Sequence, residues 1–310
     1  MPGIQKWTIT EPCLDLKGKL LEGPYFDELK NQLRFVDILD EKLYLLDIAK
    51  GPESLRALDT GGPIGVTANM DSSQNQLVVG AKHGYATLDL GTGKTTYIKK
   101  VWTDSDGPGK EERQVIHIPI MRSNDGAVDS HGRFWVGMMT DLKHHQLQDE
   151  GVLFRLDPDL SLHRMIENTA ISNGIGWSLD NKTMYVTDTP TRHIFAYDFD
   201  AENGSISNKR VFFTPAEGTG MPDGFAMDEE GCLWVALYSG GNVVRVSSSG
   251  EVVGEVSVPT QCPTCAAFVG TDLYITSADE NGEEPGFGGK LYKINVGVKG
   301  RPKNRFRLAP

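Results

Sequence analysis

Apolar positions along this chain alternate with polar ones or cluster in short runs, and nowhere sustain helical spacing over the 10–15 residues of a helix between strands. One strand phrase recurs six times: Leu33-Arg-Phe-Val-Asp-Ile38, Gln76-Leu-Val-Val-Gly-Ala81, Arg133-Phe-Trp-Val-Gly-Met138, Thr183-Met-Tyr-Val-Thr-Asp188, Cys232-Leu-Trp-Val-Ala-Leu237 and Asp272-Leu-Tyr-Ile-Thr-Ser277. Each has β-branched or aromatic residues at its centre, as a pleated, packed strand prefers. Turn residues precede four of them, at Ser130–Gly132, Asp180–Asn181, Glu229–Gly231 and Val269–Thr271. A second strand follows each phrase, at Lys42–Ile48, Tyr85–Leu90, Val152–Asp157, His193–Asp198, Asn242–Ser247 and Lys290–Val296.

Upstream of each phrase lies a lead-in containing Gly or Pro: Glu22-Gly-Pro24, Gly62-Pro-Ile-Gly65, Asn124-Asp-Gly126, Ser172-Asn-Gly174, Pro222-Asp-Gly224 and Cys262-Pro-Thr264. Anchored on residues 23, 65, 126, 174, 224 and 264, the repeat advances by 42, 61, 48, 50 and 40 residues. A period of 40–50 residues carrying several short strands is that of a β-propeller blade. The sequence therefore predicts an all-β, six-bladed propeller over residues 1–310, with no second domain. A sandwich would not repeat at this period. The N-terminal strand around Lys6–Thr10 is expected to join the last blade and close the ring.

Two long connections interrupt the rhythm. Residues 103–114 account for the 61-residue step, and residues 141–150 carry His144 and His145. Both read equally as lids over a site or as surface excursions.

Composition narrows the function. The 310 residues include 42 acids and 31 bases, a net charge of −11, which opposes generic binding to nucleic acid or anionic membrane. The basic residues between Lys299 and Arg307 read as a solvated edge. Residues 1–20 hold no apolar leader core, and no run approaches the ~20 apolar residues of a membrane span. Cytosol is the expected location. Four cysteines make no disulfide framework. Cys262-Pro-Thr-Cys265 lacks the second pair that a structural zinc site needs, so core packing is its expected role. The common nucleophile, P-loop and dinucleotide motifs are absent, and Asp198–Glu202 reads as a hairpin turn because Asn203 and Lys209 break an EF-hand pattern.

The lead-ins carry the candidate chemistry. Innermost strands of a propeller converge on one axis, and four lead-ins place oxygen-bearing side chains there: Glu22, Asn124-Asp125, Asn173 and Asp223. Asp or Asn before Gly is common in turns, but four at one repeat position point to a site. Carboxylate and amide oxygens without thiolates suit a hard divalent cation.

Taken together, Leu21-Glu22-Gly23-Pro24, Arg122-Ser-Asn124-Asp125-Gly126, Ile171-Ser-Asn173-Gly174 and Pro222-Asp223-Gly224 resemble the SMP-30/gluconolactonase/luciferin-regenerating-enzyme family over essentially the whole chain. The resemblance implies a six-bladed propeller with one divalent cation held by Glu22, Asn173 and Asp223. It further implies substrate contacts from Arg122, Asn124 and Asp141, and hydrolysis of an aldonolactone such as gluconolactone, with Asp223 as general base. Ca²⁺ is the first expectation for the ion, while Mn²⁺, Mg²⁺ and Zn²⁺ also accept such a set. Phe26 stands where relatives carry Trp, Ser123 replaces a Phe, and the loop after Met139 is short. These departures leave the ligand set intact and bear on the substrate. A larger secondary-metabolite lactone or ester, or a metal-bearing propeller that only binds a ligand or partner, stays open at this level.

Overall fold

The structure, a computed structural model, describes residues 3–102, 121–279 and 286–309; the connection at 103–114 lies outside them. A short strand β1 (Gln5–Thr8) precedes six antiparallel sheets arranged as the blades of a propeller. Blade 1 holds β2 (Leu21–Asp27), β3 (Gln32–Asp37), β4 (Lys42–Asp47) and β5 (Arg56–Asp59), and blade 2 holds β6 (Ile64–Met70), β7 (Ser73–Ala81), β8 (Gly84–Asp89) and β9 (Thr95–Lys100). Blade 3 follows with β10 (Met121–Val128), β11 (Phe134–Thr140), β12 (Gly151–Leu156) and β13 (Leu162–Thr169), and blade 4 with β14 (Ser172–Trp177), β15 (Thr183–Asp188), β16 (His193–Asp200) and β17 (Ser205–Phe213). Blade 5 comprises β18 (Met221–Met227), β19 (Leu233–Tyr238), β20 (Asn242–Val246) and β21 (Val252–Ser257), and blade 6 comprises β22 (Pro263–Val269), β23 (Asp272–Ser277) and β24 (Leu291–Asn295). The recurring phrase is the second strand of every blade, and each lead-in opens the innermost one.

Six apolar clusters fill the six spaces between neighbouring blades. Trp135 and Trp234, the aromatic centres of their phrases, are fully buried. Their indole N–H groups donate to Asp129 (3.0 Å) and Asp228 (2.9 Å), the acids that also organise the hairpin turns behind them. The turn after Asp200 is likewise a hairpin, in which Asp200 accepts from the backbone of Glu202 and Asn203.

Ring closure differs from the expectation in its partner: the N-terminal strand does not join the last blade. β1 pairs in parallel with β21 as a fifth strand of blade 5, where Trp7 packs on Trp234 with ring centroids 5.4 Å apart. Blade 6 is met instead by Cys13 and Leu14, which exchange backbone hydrogen bonds with Leu291. The N-terminal segment thus covers the outer edge of one blade and completes the next, so both edges gain partners.

The chain's other end is not a solvated edge. Residues 299–309 cross the channel and touch all six blades. Gly300 N–H donates to Gly270 O of the β22–β23 turn, Arg301 N–H to Met227 O and its Nη1 to Trp177 O, Lys303 Nζ to Pro24 O, Asn304 Nδ2 to Val128 O, and Phe306 N–H to Asn69 O. Phe306 is fully buried between blades 2 and 3, beside Phe134. The strap's backbone bonds to the far ends of the inner strands, and the Lys303 side chain reaches back to Pro24 of the first lead-in.

Candidate active site

Every inner strand shifts register against its neighbour at the lead-in: between Glu22 and Tyr25, Ile64 and Val66, Ser123 and Gly126, Ser172 and Ile175, Pro222 and Phe225, and Pro263 and Cys265. A bulge releases the intervening residues from the ladder and re-aims their side chains. Asn124, Asp125, Asn173 and Asp223 are those released residues, and Glu22 is the last paired residue before its own bulge. Glycine lets the bulges meet around the axis. A Cβ on Gly65 would lie 2.0 Å from Asn124 O, and one on Gly174 would lie 2.4 Å from the Phe225 ring and 2.9 Å from Asp223 O.

Glu22, Asn124, Asp125, Asn173, Asp223, Arg122 and Asp141 are all buried. Burial, reinforced by the Asp125 charge, pushes Glu22 up to about 8 against the opposing pull of the Gly23 N–H and Arg122. Burial, then the charges of Glu22 and Asp125, holds Asp223 well above the usual carboxylate range, with the Gly224 N–H and the Asn173 side chain opposing. Burial also raises Asp125, opposed by the Gly126 N–H and Lys303. Three carboxyls thus share one buried space and disfavour one another's ionised forms.

Two acceptors there have no donor. Asn173 Nδ2 donates to Thr189 Oγ1 at 3.1 Å, which fixes the amide, while Asn173 Oδ1 and Asp223 Oδ1 lack a hydrogen-bond partner in the protein. Buried acceptors left this way are costly unless something fills them. A divalent cation fits on both counts, because it takes hard oxygen ligands and neutralises the clustered carboxylates. Among the described residues no group of three or more His, Cys, Asp and Glu side chains has metal-binding geometry.

Arg122 and Asp141 lie beside this cluster. Arg122 Nη1 donates to Asn124 Oδ1 (2.9 Å) and Ser123 O (2.8 Å), and its buried Nε has no partner. Asn124 Nδ2 donates to Ser172 O at 3.2 Å. The Asn124 amide is therefore engaged at both ends and holds Arg122 in place. Asp141 accepts from Lys82 Nζ at 3.4 Å and faces His144 Nε2 at 3.7 Å. The sequence offered no sign of Lys82: a lysine in the hairpin turn between β7 and β8 looks like any surface lysine. Cys262 and Cys265 are buried and form no disulfide, and burial holds Cys265 well above the ordinary thiol value. Both pack the core, as expected.

A six-bladed propeller with a buried carboxylate–amide cluster at the head of its channel defines the class of protein. Residues 20–279 match the SMP-30/Gluconolactonase/LRE-like region, and the chain belongs to that family. It is 34% identical to regucalcin of Xenopus laevis, over 91% of this chain and 93% of that protein. It is 31% identical to pentonolactonase XacC of Haloferax volcanii, over 96% and 98% of the two chains. The crystal structure of a regucalcin from Agrobacterium tumefaciens, described as a calcium-binding protein, superposes with a TM-score of 0.85 at 25% identity, covering 98% of this chain and 99% of that one. No helix among the described residues is long and apolar enough to cross a membrane.

Proposed function

We propose that this protein hydrolyses a lactone, with a sugar aldonolactone as the first candidate, using a divalent cation held by Glu22, Asn173 and Asp223. The observation carrying the reading is the pair of orphaned oxygens, Asn173 Oδ1 and Asp223 Oδ1, beside mutually destabilised carboxyls. Kinship with a pentonolactonase supports lactone as the substrate class, and kinship with a calcium-binding regucalcin supports Ca²⁺ as the ion.

A cation bound there supplies Lewis-acid polarisation of the lactone carbonyl and lowers the pKa of water. The protein's own groups do the rest. Asp223, ionised once its charge is compensated, takes the proton from the attacking water as general base. Arg122, locked by Asn124, presents its unpartnered Nε to a substrate oxygen, and its fixed charge favours the oxyanion that develops on attack. Asp141 accepts from ring hydroxyls. The ring C–O bond then breaks, the former ring oxygen takes up the proton held by Asp223 and leaves as an alcohol, and the product is a hydroxycarboxylate.

The test is pH-stat hydrolysis of D-glucono-1,5-lactone by metal-stripped protein and after Ca²⁺, Mn²⁺, Mg²⁺ or Zn²⁺ is restored, with spontaneous hydrolysis subtracted. Metal-dependent turnover is expected, falling about 10²–10⁴-fold in Asp223→Ala. Turnover that survives both metal removal and Asp223→Ala would refute the reading.

A further inference from the structure

A large cavity lies behind the carboxylate cluster. A chamber of about 710 Å³ lies between the inner strands and the C-terminal strap, with Asp125 at its floor and residues 299–305 at its roof. Its size falls in the range of small-molecule sites, and its lining combines aromatic and apolar walls with polar and charged groups. Tyr25, Trp177 and Phe225 supply much of the wall.

Its electrostatics run against those of the molecule. Lys299, Arg301, Lys303 and Arg305 line the roof, and Arg34 lies just beyond the wall, hydrogen-bonded to Thr67 and Asn69, which do line it. None of these five cations forms an ion pair with a described carboxylate. In a chain of net charge −11, that concentration is not a sample of the average surface. Arg34 is buried over the face of Tyr25, 3.8 Å from the ring centroid, and bonds only neutral oxygens. The Lys303 stem lies at the surface while its ammonium turns inward to a single backbone carbonyl, Pro24 O.

Donors are also left over. Arg34 Nη2 and the indole N–H of Trp177 are buried without an acceptor in the protein. Unused donors, unpaired cations and aromatic walls describe one kind of occupant: an anion with acceptor oxygens and an apolar body. A phosphate or a sugar acid would leave the walls unsatisfied, and a neutral hydrocarbon would leave the cations so. Glu28 and Glu229 stand exposed at the rim and Asp125 feels the Lys303 charge from the floor, so the roof, with its four basic side chains, is where an anion gains most.

We propose that the rear chamber binds a small organic carboxylate with an aromatic or aliphatic body, its carboxylate at Lys303 and its body against Tyr25, Trp177 and Phe225. The site contains none of the proposed metal ligands, although Asp125 at its floor also belongs to the carboxylate cluster.

Isothermal titration calorimetry with 4-phenylbutyrate and its neutral amide tests this on the full chain, with metal-stripped and Ca²⁺-loaded protein. The carboxylate is expected to bind about tenfold tighter than the amide, whether or not metal is present. Lys303→Met is expected to remove that preference, and Lys303→Arg to keep it. Equal binding of acid and amide, or binding indifferent to Lys303→Met, would overturn the proposal. So would binding that vanishes on metal removal or in Glu22→Gln, which would place the ligand at the carboxylate cluster. No binding of either compound at about 10 mM would mean that the chamber holds only water.

Discussion

The two ends of the channel are built from the same six inner strands and carry opposite chemistry. At the leading end, bulges release acids and amides toward the axis, and Glu22, Asp125 and Asp223 crowd together with Arg122 and, on the side of Asp125, Lys303 as counter-charges. At the trailing end, the basic groups that line the cavity come from a separate segment, the strap at 299–309. One end is strained by charge and calls for a cation. The other is closed mechanically, by hydrogen bonds to every blade and one buried aromatic. Local strain concentrated where chemistry happens, with stability supplied elsewhere, is how folds usually host a reaction.

Breaking the mechanical end should give the largest stability change. Phe306 is fully buried among residues of blades 2 and 3, so Phe306→Ala should cost about 3–5 kcal/mol, read as a lower urea midpoint. Lactone turnover per folded molecule should remain within about twofold, because the cavity opens at the far end of the channel from Asp223. A matching collapse of turnover in protein that is still folded would mean that the two ends are coupled and that the comparison fails.

The charged end should reveal itself through pH. Glu22 sits near 8 in the folded protein and near 4.3 when unfolded, so the folded state holds protons that the unfolded state has lost. Metal-free protein should therefore lose stability as pH rises from about 4.3 through 8. Asp223, raised for the same reason, acts in the same direction. A bound cation replaces those protons, so Ca²⁺ at a hundred times its Kd should add about 2.7 kcal/mol. Its apparent affinity should be higher at pH 8 than at pH 6. Melting temperatures at both pH values, with and without Ca²⁺, check this. A calcium shift that is larger at pH 6 would contradict the carboxylate cluster as the binding site.

The leading end was far more legible in the sequence than the trailing end, and the reason is repetition. Glu22, Asn173 and Asp223 are unremarkable singly, but each occupies the same place in a repeat that folds onto one axis. The blade count followed from the same periodicity. Nothing repeats in the strap: Lys299–Arg307 alternates basic residues with Pro, Asn and one Phe, which on local pattern reads as surface, and only the tertiary structure shows Phe306 filling the space between two blades. Closure by the N-terminus was legible in kind but not in partner. The stretch around Lys6–Thr10 alternates like a strand, yet which blade edge it meets depends on Trp7 finding Trp234, a contact 227 positions away. Lys82 was silent because a hairpin lysine gains a role only when another blade brings Asp141 to it.

That lysine offers the finest test of the leading end. Asp141 is almost wholly buried, and Lys82 Nζ, from the neighbouring blade, is 3.4 Å from its Oδ2, while His144 is more distant at 3.7 Å. A partly exposed ion pair contributes little by itself, about 1 kcal/mol or less. Removing its cation, however, leaves a buried carboxylate free to turn toward Arg122, whose charge it already feels. If Asp141 binds substrate hydroxyls, Lys82→Met should raise KM by about three- to tenfold and leave kcat within about twofold, the pattern of lost ground-state binding. Lys82→Arg should restore KM, since the guanidinium keeps the charge and reaches as far. A fall in kcat at constant KM would instead place Asp141 in the transition state. No change in either constant would remove Asp141 from the substrate altogether, leaving Arg122, held by Asn124, as the proposed contact to the ring.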